Sequence, residues 1–157
     1  KTEVGGVILN ILNVTQVRKE FHHLYGIQCA EGVMVAQMAS GTELFLGANY
    51  EEKFGHIVVC GMGGIYVEVL KDVASGLAPL SHDEAISMIK SLKSYKILKG
   101  FRKQAGVNIP KFAEIVVRLS SLLRFATEIK ELDINPLLGN EKEILAVDAR
   151  VRIEKNA

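Results

Sequence analysis

The stretch ELDINPLLGNEKEILAVDAR, residues 131–150, combines strand-forming residues with acids. Side chains two positions apart on a strand share a face, so Glu131, Asp133 and Asn135 point one way and the apolar residues between them point the other. Asp148 lies inside the apolar run ILAVDA. Because a buried unpaired charge is costly, these acids need a compensating partner.

The turn between the two strands decides which residues face each other. If it centres between Glu141 and Lys142, Asn135 lies opposite Asp148. One sheet face then gathers two carboxylates, those of Asp133 and Asp148, and the amide oxygen of Asn135. Donors that are all oxygens suit a hard cation, and Mg²⁺ commonly takes one or two carboxylates plus substrate phosphates. The spacing therefore makes a magnesium site one interpretation of this strand pair.

Ordinary ion pairs are the other interpretation. Asp133 and Asp148 have Lys130, Arg150 and Arg152 close by in the sequence, and exposed acids need no partner at all. The apolar setting of Asp148 weighs only against full exposure to solvent. Spacing alone leaves the metal site and the ion pairs both open.

A glycine cluster, CGMGGIYVE at residues 60–68, is the second candidate site. Glycines allow backbone N–H groups to approach a phosphate closely. The cluster lacks the GK[ST] of a P-loop, and a strand-like run rather than a helix follows it. A tight hairpin turn is therefore the expectation from the residues alone.

Periodicity along the rest of the chain predicts an α+β fold, an antiparallel sheet with helices packed against it. A helix capped by Thr15 runs to Tyr25, a capping box of Ser81 and Glu84 opens a second helix, and Pro110 lies in the first turn of a third. The predicted strands cover residues 6–12, 32–38, 43–50, 56–61, 65–70, 129–135 and 144–152.

Composition excludes several classes of function. The formal net charge is +1, with no Lys/Arg run, which argues against a nucleic-acid surface. No apolar run reaches the roughly 20 residues that span a bilayer. Cys29 and Cys60 are far apart, and we expect both to be small buried hydrophobes in a reducing compartment. The chain begins at Lys1 without Met, so we expect a piece of a longer protein.

Five segments in fixed order resemble a known family. They are GGV (5–7), GVMVAQM…GTELFLGA (32–48), FGHIVVCGMGGIYVEVLKDVASGLAPL (54–80), ELDINPL (131–137) and AVDAR (146–150). In this order they resemble the ATP-grasp subunit of ADP-forming acyl-CoA synthetases, which are relatives of the succinyl-CoA synthetase beta subunit. The resemblance implies that residues 1–157 are the C-terminal part of an ATP-grasp domain.

The resemblance also implies a reaction, in which acyl-CoA, ADP and phosphate give acid, CoA and ATP. A partner domain or subunit, which binds CoA, passes the phosphoryl group to a histidine, and the ATP-grasp part transfers it to ADP with Mg²⁺ present. The implied enzyme is a cytoplasmic ligase. Its partners are the CoA-binding and ligase domains and ATP/ADP, with no nucleic acid and no membrane.

Site residues follow position by position from the resemblance. Asn135 and Asp148 match the magnesium ligands, and Asp133 matches the acid near the phosphohistidine. The hinge whose backbone meets adenine is matched by Gln37, Met38 and Ala39, and a nucleotide-contacting glutamate is matched by Glu43. The paired glycines that face the phosphates are matched by Gly63 and Gly64, and the glutamate that follows them by Glu68.

The chain departs from the family in three places. The N-terminal half with its phosphate-gripping lysine, and the histidine that the family carries just before Lys1, are not in this sequence, so we expect the isolated chain to be inactive. Lys103 replaces the family's usual glycine after an arginine. The alternative function is a non-catalytic ATP-grasp-like module, such as that fused to protein acetyltransferases, as a sensor or scaffold. The joint presence of Asp133, Asn135 and Asp148 favours the enzyme.

Overall fold

The structure is a computed structural model that describes residues 5–102 and 105–154, so Lys103 lies outside the described residues. The chain divides into two compact units, Lys1–Met38 and Ala39–Ala157. Within the described ranges, no helix is both long and apolar enough to cross a membrane.

The first unit contains helix α1, Val14–Tyr25. Its cap is Asn13, whose side chain accepts a hydrogen bond from Gln16 N at 2.9 Å, so the predicted cap at Thr15 was wrong by two residues. The helix confirms the predicted span to Tyr25. Gly26 forms its C-cap.

The two strands predicted in the first unit, residues 6–12 and 32–38, were wrong. Both segments are irregular, and Asn10 takes a φ of +60°, which interrupts extended backbone. Met34 is 90% exposed. An apolar run becomes a strand only where another strand pairs with it, and the described part of this unit supplies no such partner.

The second unit is built on one antiparallel sheet. Its strands are β1 (Thr42–Glu51), β2 (Gly55–Met62), β3 (Val73–Leu77), β4 (Ile129–Gly139), β5 (Ile144–Ala146) and β6 (Ala149–Ile153). The order is β3-β2-β1-β4-β5, with β6 also paired to β4. The helices are α2 (Ile65–Glu68), α3 (His82–Ser91), α4 (Tyr95–Leu98) and α5 (Ile109–Phe125). This architecture confirms the predicted fold class.

One face of the sheet carries the core. Leu44, Leu46 and Val58 are fully buried there and belong to the same cluster as Phe112 and Ile89 of α5 and α3. Helices α3 and α5 begin where the sequence predicts, because the capping box of Ser81 and Glu84 is complete and Pro110 lies in the first turn of α5. The other face, which carries the intervening residues of each strand, is left without these helices.

The predicted strand at residues 65–70 was wrong, and so was the hairpin turn before it. Gly64, at φ +57°, turns the chain directly into α2, and its carbonyl accepts the N–H groups of Val67 and Glu68. The edge strand is β3, which the sequence reading missed. A short apolar run does not distinguish a helical turn from a strand, and the VASGL of β3 is a weak strand former.

The two cysteines differ in environment. Cys60 is fully buried on β2, and burial raises the pKa of its thiol to about 12, so it is an inert core residue. Cys29 is exposed, which contradicts the expectation that both are buried. It lies in the irregular segment after α1, outside any packed strand.

We predict that Asp72→Ala destabilises the protein by about 3 kcal/mol. Asp72 is buried, and its carboxylate accepts the N–H of Lys93 at 2.9 Å and of Ser94 at 2.8 Å, so truncation leaves these donors unpaired. Burial raises its pKa, but hydrogen bonds from Ser94 and Lys93 and the Lys93 charge outweigh this and hold the pKa below its ordinary value.

A group with a lowered pKa stabilises the fold above its unfolded value, and this contribution disappears as the pH falls through the folded value. The difference in unfolding free energy between wild type and Asp72→Ala, measured in urea, should therefore shrink below about pH 4. Asp83→Ala, in the exposed first turn of α3, is the control. An equal loss in both variants at neutral pH would contradict the prediction.

Candidate functional site

The acidic strand pair folds in the predicted register. Leu132, Asp133 and Ile134 of β4 pair with Val151, Arg150 and Ala149 of β6. Asn135 N then donates to the carbonyl of Asp148 at 3.1 Å. Asn135 and Asp148 are therefore neighbours, as predicted, and Asp133 stands two residues along the same strand.

Asp133 has an unusual environment. Its side chain is half-buried, and Oδ1 is fully covered without any hydrogen-bond partner in the described part of the chain. Burial raises the pKa of the carboxyl above its ordinary value; the Arg150 charge lowers it, and the Asp148 and Glu131 carboxylates raise it further. A covered oxygen without a donor is costly, so this carboxylate is held in a setting that disfavours its charge.

The ion-pair interpretation accounts for only part of this cluster. Arg150 Nη2 lies 3.9 Å from Asp148 Oδ2, and both side chains are more than half exposed. Arg152 Nε lies 3.3 Å from Glu131 Oε2, which explains the acid that the metal interpretation left unassigned. No ion pair within 4.0 Å involves Asp133 among residues 5–102 and 105–154.

Lys130, the third basic residue near these strands in the sequence, has its side chain over the Tyr50 ring. Its Nζ lies 3.9 Å from the centre of the Tyr50 ring. His56, which pairs with Tyr50 across β1 and β2, is buried, and its Nε2 lies 2.7 Å from the carbonyl of Ile129, so this histidine has a structural role.

Glu43 and the paired glycines form a second cluster. Gly63 N donates to the Glu43 carbonyl at 2.8 Å. A Cβ on Gly64 would lie 2.7 Å from Glu43 Oε2, so the carboxylate occupies the space above that glycine. Glu68 is exposed at the end of α2. The structure thus brings together three of the four residues that the sequence places here and leaves Glu68 at the periphery.

The predicted hinge lies where the chain passes from one unit to the other. The boundary between the units falls between Met38 and Ala39. In the first unit, Gln37 and Met38 line an apolar cavity of about 520 Å³, together with Val17, Phe21 and Leu24 of α1. These three side chains lie at helical spacing, so one face of α1 borders this cavity.

Gly47 is a site residue that sequence reasoning missed. It pairs with Asp133 across β1 and β4, and a Cβ there would lie 3.1 Å from both the Leu132 carbonyl and Phe45 Cζ. Only a glycine lets the Phe45 ring and the β4 backbone approach so closely beside Asp133. The sequence did contain a signal for Gly47, because a glycine inside a strand-forming run is typical of places where another group approaches the backbone closely.

Comparison with known proteins decides the family. A family profile described as an ATP-grasp domain matches residues 1–153. The beta subunit of an ADP-forming acetate–CoA ligase I from Pyrococcus furiosus is 38% identical over 96% of this chain and 68% of the relative. The chain belongs to the ATP-grasp domains of the ADP-forming acyl-CoA synthetases.

Other members of this ATP-grasp family extend the comparison. The ADP-forming 4-hydroxybutyrate–CoA ligase of Nitrosopumilus maritimus is 42% identical over 90% of the chain, which spans only 22% of that relative's length. A solved structure from Ca. Korarchaeum cryptofilum, a dinucleotide-forming acetyl-coenzyme A synthetase 1, superposes with a TM-score of 0.84 at 34% identity, over 98% of this chain and 70% of that one. That structure is a complex with coenzyme A and Mg-AMPPCP, and its phosphohistidine segment points towards the nucleotide binding site.

Among residues 5–102 and 105–154 of this ATP-grasp domain, no group of three or more His, Cys, Asp and Glu residues is placed to hold a metal ion. The Asn135 and Asp148 pair supplies one carboxylate and one amide oxygen, and so cannot form a complete cage by itself. Such a sparse set matches Mg²⁺, which keeps waters and substrate phosphates as its other ligands.

Proposed function

We propose that this ATP-grasp domain is the nucleotide-binding part of an ADP-forming acyl-CoA synthetase, which moves a phosphoryl group between a histidine and ADP. The observation that carries the proposal is the cluster of Asp133, Asn135 and Asp148 on the sheet face left without helices, in a chain of this family. Phosphoryl transfer depends on positioning and charge neutralisation more than on covalent catalysis by side chains.

Asn135 and Asp148 would hold magnesium. Their backbones are hydrogen bonded to each other, and among the described residues Asp148 has one long ion pair, at 3.9 Å, so its carboxylate is available to a cation. When bound, Mg²⁺ neutralises phosphate charge and fixes the geometry of the phosphate chain. The donor set, oxygens without sulfur or imidazole, agrees with this ion.

Asp133 would receive the phosphorylated histidine. Among the described residues its carboxylate has no ion-pair partner, and an imidazole N–H is a suitable hydrogen-bond donor to it. A carboxylate bonded to one ring nitrogen orients the imidazole and stabilises its cationic form. The missing partner of Asp133 is then the histidine segment of the complete enzyme rather than a residue of this domain.

The other residues proposed to contact the nucleotide lie in separate segments of the chain. Gln37, Met38 and Ala39 would meet adenine, since the first two border an apolar cavity that suits a flat ring. Glu43 with Gly63 and Gly64 would lie along the ribose and phosphates, because the exposed Glu43 side chain packs directly against the two glycines. The domain that binds CoA and the acyl group is then a partner domain or subunit.

ATP formation by the full-length protein tests this proposal. The protein is incubated with acetyl-CoA or other acyl-CoAs, ADP, phosphate and Mg²⁺, and ATP is measured with luciferase. We expect ATP formation that EDTA stops and that excess Mg²⁺ restores, together with an acid-labile, base-stable phosphohistidine. Protein that binds ADP yet makes no phosphohistidine with any acyl-CoA would favour the scaffold alternative.

A further inference from the structure

The sheet face that carries the proposed site has an excess of negative charge. The carboxylates of Asp148 and Glu131 both act on that of Asp133 there. A nucleotide adds a polyphosphate that carries more charge than one divalent cation neutralises, so the bound state needs a further positive group close to the acids.

Arg150 is placed to supply that charge. It pairs with Asp133 across β4 and β6, and residues directly opposite each other in a sheet present side chains on the same face. Its guanidinium also reaches Asp148, at 3.9 Å. The cation therefore stands between the acid proposed to meet the histidine and the acid proposed to hold the metal.

The neighbouring Arg152 is not available in the same way. It is two residues further along β6 and on the same face, but it contacts both Glu131 and Glu154. Arg150 has one ion pair among the described residues, at the long end of the range, and its side chain is 81% exposed. Such an exposed, distant pair is weak and easily exchanged, whereas a guanidinium binds phosphate oxygens through two parallel hydrogen bonds.

We infer that Arg150 exchanges partners when nucleotide binds: its guanidinium rests against Asp148 in the nucleotide-free protein and contacts the nucleotide phosphates once Asp148 is engaged by the metal ion. This inference rests on the proposed function. It gives Arg150 two opposite effects, because the same charge opposes a cation at Asp148 and attracts an anionic ligand beside it.

The test compares Arg150→Gln with the matched control Arg152→Gln in the full-length protein. Mn²⁺ binding without nucleotide is followed by electron paramagnetic resonance, and ADP binding in EDTA by titration calorimetry. In Arg150→Gln we expect Mn²⁺ to bind about threefold to tenfold more tightly and ADP roughly tenfold more weakly. Arg152→Gln should change neither affinity by more than about twofold.

The opposite signs separate this role from a structural one, since a damaged site loses affinity for both ligands. Arg150→Lys should restore wild-type Mn²⁺ binding, which depends on charge, but only part of the ADP affinity, which depends on the planar fork. Equal behaviour of the two glutamine variants, or weaker binding of both ligands in Arg150→Gln, overturns the inference while wild type still binds ADP. Wild-type protein that binds no ADP overturns the proposed function as well.

Discussion

Replacing Asp148 with alanine in the full-length protein abolishes turnover, with an expected fall in kcat/KM of about 10³-fold or more. The carboxylate is the single charged group of the proposed metal pair, because its neighbour Asn135 supplies only an amide oxygen. Its loss therefore leaves Mg²⁺ without an anionic protein ligand. Affinity for Mg-ADP, measured by titration calorimetry, should fall along with activity.

Glu154→Gln is the matched control for Asp148→Ala. Glu154 is another exposed acid just beyond β6, where it pairs with Arg152. We expect this variant to retain nucleotide affinity within about twofold, as for the loss of a surface ion pair. Asp148→Ala protein that folds and binds Mg-ADP as tightly as wild type would show that Asp148 is not a ligand.

Asp133→Asn should lower the rate of phosphoryl transfer between the histidine and ADP by about 10²–10⁴-fold, since the amide no longer stabilises a cationic imidazole. Nucleotide affinity should be nearly unchanged, because the proposed metal ligands and glycines are intact. Rapid-quench measurement of phosphohistidine decay after addition of ADP separates this step from binding. Decay at the wild-type rate would remove Asp133 from the mechanism.

The same substitution should make the protein more stable. Burial raises the pKa of Asp133, so its ionised form costs folding free energy at neutral pH and costs nothing below its unfolded pKa, where the group is protonated in both states. We expect Asp133→Asn to raise the unfolding temperature at pH 7 and to have no effect near pH 3. Glu131→Gln, which removes an exposed acid from the same strand, should bring no such gain.

Prediction from sequence succeeded for the second unit, where local signals agree with tertiary packing. The capping box of Ser81 and Glu84, Pro110 in the first turn of α5 and the alternation of β1 and β4 each follow from short-range chemistry that the core then reinforces. The register that was assumed for the acidic strand pair, with Asn135 beside Asp148, is the one that the structure has, and a slip of one residue would have turned these side chains to the other face.

Prediction of strands failed for apolar segments whose own sequence does not indicate which other strand they would pair with. Residues 6–12, 32–38 and 65–70 all read as strands, and none of them is one. For the last of these, the left-handed backbone at Gly64 closes a helical turn, and β3 takes the edge of the sheet instead. Pairing between distant segments is a property of the folded chain, so composition and periodicity do not specify it.

The sequence by itself determined which residues stand two apart on the acidic strands, and the family resemblance assigned them roles, because strand periodicity and motif order are both local. Only the tertiary structure decided the electrostatics of that face. The fold buries Asp133 Oδ1 where no described residue donates a hydrogen bond to it, and it places Lys130 over the Tyr50 ring. It also pairs Arg150 with Asp148 and Arg152 with Glu131, so the two arginines have different partners. Burial and side-chain partners depend on neighbours brought from other strands, and those neighbours meet only when the sheet has formed.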